Sequence, residues 1–393
     1  IKPVISNLKI RGSWGLVGND ATNAGRFAYM EDLVLGGSDS YTTGIRQDTY
    51  YSGPSWNRYF NPDLTWEVGE KINLGLDLQL FNDFNLTFDI FREKRRDIFM
   101  TRENSIPEIV GTGETKITSN NGEMENKGLD LAIDYNKQIT KDFFLSFKST
   151  LTFARNKVLK MDEPPYFEYP GLSDVGHPLG TYWGYVADGL FPDQETIDNS
   201  PRQDLGYTPQ PGDIKYVNQP NAKGEYDNVI NSNDRVAIGH PYDPELVYGF
   251  GPSMKWKNWD FSFFFQGVAR TSFMMYGMHP FGTTSIKNML QFVADDHWSV
   301  DNPNPNAAYP RLTKDSNGNN DQYSTYWLRN AAFLKLKNAE IGYTYKGMRF
   351  YLSGVNLLTF SPFKHWDPEM GGGNGLYYPT QRVFNIGFQM TIQ

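Results

Sequence analysis

The chain has 393 residues, a formal net charge of −8, no cysteine, and an aromatic content of 15%. The acidic balance argues against nucleic acid as a partner, since phosphate binding needs a basic surface, and the lack of cysteine excludes disulfide scaffolds, thiol nucleophiles and zinc–cysteine sites. No apolar run reaches the length of about 18 residues that a transmembrane helix needs.

The composition favours an all-β chain with long loops, because aromatic residues, Gly, Asn and Asp are abundant while sustained helical periodicity is scarce. A mean hydropathy of −0.55 is compatible with a membrane barrel, since half of each barrel strand faces a polar lumen. No composition shift marks a domain boundary. The first residues lack the basic start and apolar core of a signal peptide, so we expect a cytosolic protein or a piece of a longer one.

In chain order, the first predicted strand covers Val4–Val17, and a short strand is expected within Arg26–Leu35. The clearest pattern follows at Trp66–Arg92, where apolar residues occupy every second position on both sides of the pair Asn82-Asp83. Period two predicts strands, and so short a connection predicts a hairpin. The charged run Arg92–Asp97 continues the second strand, as a solvated extension above a membrane or as a contact for lipid phosphates.

Three further hairpins and a last strand repeat this pattern, with a β-bulge expected near Asn338 and Gly354. We therefore predict ten long strands. The later ones are Lys127–Ile139, Phe143–Phe153, Val247–Trp256, Trp259–Ala269, Phe333–Tyr345, Met348–Phe360 and Phe384–Ile392.

A single hairpin of this kind suits either a soluble sandwich or a membrane barrel, and the connections distinguish the two. Short turns alternate with long connections without exception, which is typical of the periplasmic turns and extracellular loops of outer-membrane barrels. We predict a transmembrane antiparallel up-and-down β-barrel in which Asp77 and Asp130 face the lumen. The residues predicted to face lipid are Leu74, Leu76, Leu129, Leu131, Leu145, Phe147, Phe261, Phe263 and Phe388.

Six motifs in order resemble the C-terminal barrel part of the SusC-like TonB-dependent transporters (RagA/SusC family) of Bacteroidetes. The similarity spans nearly the whole chain, so residues 1–393 are interpreted as one barrel portion. The motifs are NPDLTWEVGEKINLGLD (61–77), PGDIKY (211–216), NDRVAIGHP (233–241), YWLRNAAFLKLKNAEIGYTY (326–345), RFYLSGVNLLTF with the following DPEM (349–370), and YYPTQRVFNIGF (377–388).

The resemblance implies a plugged barrel of about 22 strands, of which this chain holds slightly under half, without the plug, the TonB box or the earlier strands. It further implies an outer-membrane location, contact with outer-membrane lipid, a SusD-like lipoprotein on the extracellular face, and TonB acting through the absent N-terminal region. The last residue, Gln393, differs from the aromatic residue that usually closes such barrels, which leaves the true C-terminus undecided.

A calcium loop of D-x-N-x-D-G type, which the family commonly has after PGD, lacks its tight spacing here. The segment Asp213–Asp234 still contains candidate ligands for Ca²⁺, namely Asp213, Asn233 and Asp234. Calcium needs six to eight oxygen ligands with carboxylates among them, and these are scattered. An ordinary loop with Asx turns is the alternative interpretation.

Aromatic residues in the loops form the candidate substrate-binding set, because aromatic faces stack on sugar rings or contact peptide side chains. Roles in a membrane-interface girdle or in loop packing are the alternative. The predicted binding residues are Trp56, Tyr59, Tyr166, Tyr169, Trp183, Trp327, Trp366 and Tyr378, within a larger constellation that includes Phe167, Trp298 and Tyr377.

No catalytic motif accompanies these aromatics: the five histidines are isolated, and neither G-x-S-x-G nor a phosphate loop occurs. We therefore expect no enzyme. The resemblance implies energy-coupled import, and the Asn, Gln, Ser, Thr and Asp of the polar strand faces favour oligosaccharide over oligopeptide as cargo. A soluble glycan-binding protein or hydrolase and a passive porin are the other hypotheses.

Overall fold

A computed structural model describes residues 4–21, 26–36, 40–102, 104, 106, 109, 117–277, 281–282, 285–286, 289–313 and 316–390. Within these ranges the only α-helices are α1 (Gln194–Asp198) and α2 (Gln291–Asp295), with 3₁₀ turns at Pro170–Leu172, Ser232–Asp234 and Pro368–Met370. None of the helices in this part of the chain is long and apolar enough to cross a membrane.

Ten long strands form a single sheet, the wall, in which each strand is antiparallel to the next one along the chain. This confirms the all-β class, the strand number and the up-and-down order. The strands are β1 (Ile5–Asn19), β2 (Glu67–Leu80), β3 (Phe84–Thr101), β4 (Thr118–Thr140), β5 (Phe143–Lys160), β6 (Leu246–Trp256), β7 (Trp259–Ala269), β8 (Phe333–Tyr345), β9 (Met348–Phe360) and β10 (Val383–Met390).

The predicted strand bounds hold closely except on β3, β4 and β5, which extend farther toward the long connections than the apolar alternation does. The charged run Arg92–Asp97 lies inside β3, where Arg92–Arg95 pair with β4 and the pairing shifts between Arg95 and Ile98. The bulge predicted near Asn338 is confirmed, since the pairing of β8 with β9 shifts between Leu336 and Asn338. On β9 the extra residue falls between Val355 and Leu358, slightly beyond the predicted Gly354. The predicted Ile392 lies outside the described residues.

The cross-strand pairing agrees with the predicted register. Leu76 pairs with Phe88, Phe88 with Leu131, and Leu131 with Leu151, so one apolar row crosses four strands. Because residues two apart along a strand share a face, the nine residues predicted to face lipid all lie on the face that carries this row. Asp77 and Asp130 lie on the other face.

The polar face contains ion pairs between strands. Arg11 on β1 donates to Asp77 on β2 at 2.9 Å and to Asp89 on β3 at 2.9 Å. On the same face, near the other edge of the sheet, Arg349 on β9 pairs with Asp260 on β7 and Glu340 on β8. These contacts neutralise acidic residues that a one-residue slip would place on the apolar face.

All the short turns lie at one end of the wall, at 81–83, 141–142, 257–258 and 346–347, and the long connections lie at the other. The short strand predicted within Arg26–Leu35 is present at Asp32–Val34. The long connections are therefore not plain coil. They contain small strands at Asp32–Val34, Ser40–Thr43, Thr49–Ser52, Ser55–Arg58, Tyr182–Gly184, Ala187–Leu190, Arg202–Gln203, Ile214–Tyr216, Val229–Ile230, Val236–Ile238, Ser272–Met274, Phe281–Gly282, Ser285–Ile286 and Leu328–Asn330.

The described residues of three long connections, 161–245, 270–332 and 361–382, pack together into what we call the loop body. It has its own apolar core, because burial there offsets the entropy of ordering so long a chain. The buried core residues are Tyr185, Leu190, Ile214, Tyr216, Ile230, Ile238, Phe273, Met274, Met275, Val293, Trp298, Ala307, Tyr309, Trp327, Ala331 and Phe363.

Candidate functional site

The loop body encloses a cavity of about 220 Å³ at the long-loop end of the wall, and we call it the loop-body cavity. All of its lining residues come from the connection 270–332, between β7 and β8. Its lining residues are Met275, Tyr276, Gly277, Val293, Tyr309, Pro310, Arg311, Leu312, Thr313, Asn317, Asn320, Asp321, Gln322, Tyr323 and Trp327.

A buried ion pair shapes the polar wall of the cavity. Asp213 is fully buried and accepts from Arg311 Nε at 2.7 Å, from Asn317 Nδ2 at 3.0 Å and from Asn320 Nδ2 at 2.9 Å. Burial alone would lower the pKa of Arg311, but its bonds to Asp213 and Tyr207 raise it, so the guanidinium stays charged. One carboxylate therefore positions three polar side chains of the lining.

The apolar wall of the cavity is made of packed aromatic rings. Trp327 is buried, and its indole N–H donates to the Asn320 carbonyl at 2.7 Å. The ring of Tyr309 lies 6.2 Å from that of Trp327, and burial raises the pKa of Tyr309. These rings are held in place by the core, so they offer a fixed surface to a ligand.

Exposed tyrosines surround the cavity. Tyr276 and Tyr323 line it and are 51% and 49% exposed, and Tyr377 is 54% exposed with its hydroxyl 3.5 Å from that of Tyr276. Gly373 brings the two chain segments together, because its carbonyl accepts from the Tyr276 backbone N–H at 3.2 Å. Its φ of +92° is readily adopted only by glycine.

The segment that carries Tyr377 is tied to the wall by charge. Lys335 on β8 is fully buried and donates to Asp367 at 2.5 Å and to Glu369. Lys337, two residues along, donates to Glu369 at 2.8 Å. Although burial alone would raise the pKa of Asp367, the bonds from Lys335 and Thr380 lower it. This ion cluster fixes segment 361–382 relative to the barrel strands.

Trp327 is the one predicted binding residue among the lining residues of the loop-body cavity. Trp366 packs beside the core with its indole N–H on the Gly371 carbonyl at 2.9 Å. Trp183 donates to Asp174 at 2.6 Å and contacts the ring of His177. The indole N–H groups of Trp183, Trp327 and Trp366 thus all donate to acceptors within the protein.

The other predicted aromatic residues lie apart from the cavity lining. Trp56 and Tyr59 stack at 5.5 Å in the connection between β1 and β2. Tyr166 and Tyr169 are half-buried in the first part of the loop body, and Tyr378 is 81% exposed, with its hydroxyl accepting from Gln381. Contact between these residues and a ligand stays a prediction.

Sequence reasoning missed the residues that form most of the cavity, namely Tyr276, Tyr309, Arg311, Asn317, Asn320 and Tyr323. For the five of them that lie beyond position 302, the only signal is an unusual density of Asn and Tyr between 302 and 327. That signal does not say which of the side chains point inward, because the segment follows neither the helical nor the strand period.

Calcium binding by Asp213, Asn233 and Asp234 stays a prediction, and two of these residues already use their oxygens within the protein. The oxygens of Asp213 accept from Arg311 and two amides, as described above, and those of Asp234 accept from the backbone N–H groups of Gln219 at 2.7 Å and Asn231 at 2.8 Å. Burial raises the pKa of Asp234, which disfavours the charged form that calcium needs. Among the described residues no cluster of three or more His, Asp or Glu could hold a metal ion.

The sequence matches the family model described as TonB dependent receptor-like, beta-barrel, over residues 22–357. It is 28% identical to the TonB-dependent receptor P26 of Formosa agariphila, over 98% of this chain and 40% of that protein. It is 28% identical to the TonB-dependent receptor SusC of Bacteroides thetaiotaomicron, over 98% of this chain and 38% of that protein.

Among solved structures, the fold is similar to that of the RagAB peptide transporter, with a TM-score of 0.70 at 22% identity. That similarity covers 98% of this chain and 41% of the other. The chain therefore spans about two fifths of the length of these relatives.

Proposed function

Because the chain belongs to the TonB-dependent receptor-like β-barrel family and forms part of an outer-membrane barrel, we propose that it is the C-terminal part of an active importer of oligosaccharides. In this proposal TonB supplies the energy through a region that precedes residue 1, and a SusD-like surface lipoprotein assists at the long-loop end. The loop-body cavity is the observation that carries the proposal.

The wall supports the assignment of residues 1–393 to part of a larger barrel. Within the described residues, β1 and β10 each pair along one side only, and a membrane barrel needs every strand edge paired because lipid offers no hydrogen-bond partner. We propose that further strands of the same protein close the sheet, and that a plug fills the lumen.

The chemistry of the cavity fits a sugar. Aromatic rings of Tyr276, Tyr323 and Trp327 line the cavity together with the amide side chain of Gln322, so hydroxyl groups of a sugar can bond to that amide while ring faces stack. No catalytic role is proposed.

Oligopeptide is the second candidate cargo, because the similar solved structure is titled as a peptide transporter. A peptide would use the same amides through its main chain, without needing the ring faces. The two cargoes therefore differ in how strongly they depend on the exposed tyrosines.

The partner is proposed from the same end of the molecule. SusC and RagAB are similar to this chain, and the loop body forms a folded surface rather than loose loops. A specific protein interface buries roughly 800 Å² on each side. We propose that the lipoprotein covers the loop-body cavity as a lid. Co-purification of that lipoprotein with the full-length protein tests this.

The cargo is tested by equilibrium binding to the full-length protein. We expect Tyr276→Ala and Tyr323→Ala each to weaken binding of oligosaccharide mixtures about tenfold, the effect of roughly 1.4 kcal/mol. Tyr226→Ala is the matched control, since Tyr226 is 61% exposed in the loop body and does not line the cavity. Peptide mixtures are titrated in parallel.

Unchanged glycan binding in both cavity variants, with peptides bound tightly by all proteins, would overturn the sugar assignment in favour of peptide. Uptake that persists after removal of TonB would instead overturn the energy-coupled mechanism. The two failures are separable because binding is measured without TonB.

A further inference from the structure

A second groove lies on the outside of the wall, where β4 and β5 approach the long-loop end. It encloses about 650 Å³, and its lining includes three cations, Lys127, Arg155 and Lys157. The apolar side chains Leu129 and Phe153 also line it, as does one carboxylate, Glu125. It is separate from the loop-body cavity, and nothing in the import mechanism uses it.

The register places these cations on the membrane-facing side. Leu129 pairs with Phe153 in an apolar row. Two residues farther toward the long loops, on the same two strands, Lys127 pairs with Arg155. Side chains two residues apart share a face, so the cations follow directly after the last apolar row. Lys127, Arg155 and Lys157 are all exposed.

Positive charge is in excess around the groove. Glu125 is shared by Arg92, 2.6 Å away, and by Lys127, 2.7 Å away. The buried Glu245 is likewise shared by Arg155 at 3.0 Å and Arg270 at 2.6 Å. Each carboxylate therefore neutralises only one of two cations, and Lys157 adds a further positive charge to the lining.

We propose that this groove binds the phosphorylated head group of a lipid in the outer leaflet of the membrane. Lysine and arginine donate charge-assisted hydrogen bonds to phosphate oxygens, and basic residues at the membrane surface attract anionic lipids. Leu129 and Phe153 continue the apolar face, so they contact the start of the acyl chain. The proposal rests on the membrane location of the wall and is independent of the cargo.

The apolar floor distinguishes a lipid from free phosphate. A soluble anion would gain nothing from Leu129 and Phe153, whereas a lipid anchored in the membrane brings its phosphate to the height at which Lys127 and Arg155 lie. The long-loop end is the outer side in barrels of this kind, which assigns the groove to the outer leaflet.

The test uses the full-length protein in detergent micelles doped with phosphatidic acid, with phosphatidylcholine as the neutral comparison and inorganic phosphate as soluble competitor. Native mass spectrometry counts the retained lipids. We expect the protein to retain phosphatidic acid in preference to phosphatidylcholine. We expect the combined Lys127→Gln, Arg155→Gln and Lys157→Gln variant to lose at least tenfold in retention.

A matched triple variant, Lys141→Gln, Lys148→Gln and Lys255→Gln, changes the net charge equally at positions outside the groove lining and is expected to retain the lipid. Glu125→Gln removes the carboxylate from the lining and is expected to increase retention severalfold. Because that variant gains binding, misfolding cannot produce the result.

The proposed lipid site would be overturned if the groove variant retained as much phosphatidic acid as the unmodified protein. It would also be overturned if the matched variant lost as much lipid as the groove variant. Retention unaffected by Glu125→Gln would also count against it. Displacement of the lipid by inorganic phosphate at comparable concentration would show a phosphate site without lipid specificity, and would overturn the lipid assignment.

Discussion

The wall and the loop body are stabilised by different physics, although one chain alternates between them. In the wall, the apolar residues of one face stay exposed within this chain, as Leu74 at 51% and Phe388 at 55% show. In the loop body, Ile214 and Tyr216 are almost fully buried. The wall thus needs lipid to cover its apolar face, whereas the loop body covers its own.

Charge is also used differently in the two regions. The pairs of Arg11 and Arg349 lie on a partly exposed polar face, where water weakens them. The pair of Asp213 with Arg311 lies inside the loop body with Asp213 fully buried. Breaking a buried pair leaves an uncompensated charge, so we expect the loop body to be the region more sensitive to single polar substitutions.

The largest effect is expected for Asp213→Asn, which leaves the Arg311 charge without its partner. We expect the loop body to lose about 3–5 kcal/mol of stability while the wall keeps its own. Hydrogen exchange of the full-length protein, resolved by segment, checks this. Asp193→Asn, at the exposed N-cap of α1, is the control and should cost about 1 kcal/mol or less. Equal loss of protection in β2–β5 would contradict the separation.

In the wall, Leu131→Lys places a cation in an apolar row. We expect a cost of about 2–4 kcal/mol near the bilayer centre, measured by urea unfolding in lipid vesicles. Ala132→Lys, one residue along on the polar face, is the matched control with a cost near zero. A larger cost for Ala132→Lys than for Leu131→Lys would mean that the faces are assigned the wrong way round.

The junction between the two regions is tested by Lys335→Met, which leaves Asp367 and Glu369 without their buried cation. We expect a loss of roughly 2 kcal/mol, less than for a fully buried pair, because these carboxylates are 19% and 22% exposed. Exchange should rise in 361–382 before other segments. Lys337→Met serves as the control because Lys337 is itself 20% exposed, and it should have the smaller effect.

These two regions also differ in how far sequence predicts them. The wall follows from period two, because a strand at a membrane must expose one kind of residue to each side. Leu76 and Asp77 can therefore be assigned to opposite faces without coordinates. The bulge at Asn338 could be predicted for the same reason, because it interrupts the alternation by one residue.

The loop body has no comparable period, since its core is assembled from segments more than a hundred residues apart. The bond from Asn320 Nδ2 to Asp213 joins residues 107 apart in sequence, and composition does not predict such a pairing. Of the predicted aromatic residues, Trp327 lines the cavity, whereas Trp366 and Trp183 lie outside its lining.

The smallest expected effect is a pH dependence confined to the loop body. The ring of His365 stacks on Phe292 at 4.2 Å and its Nε2 lies 3.3 Å from the Tyr309 hydroxyl. Burial, and then the positive charge of Arg329, lower the pKa of His365. The unfolded chain therefore binds the proton first as the pH falls below about 6.5.

The stability of the loop body should accordingly fall as the pH drops from about 6.5 toward the lowered pKa of His365. Above that window the stabilising contribution of the neutral histidine is fully present. The raised pKa of Asp234 acts in the opposite direction, so the histidine contribution is taken as the difference between the protein and His365→Phe. We expect the hydrogen-exchange protection of 289–313 and 361–382, relative to the intrinsic exchange rate at each pH, to fall on acidification. The fall should be smaller in the variant, and the protection of β2–β5 should not change. An identical pH profile for both would show that proton binding at His365 does not contribute to the stability of the loop body.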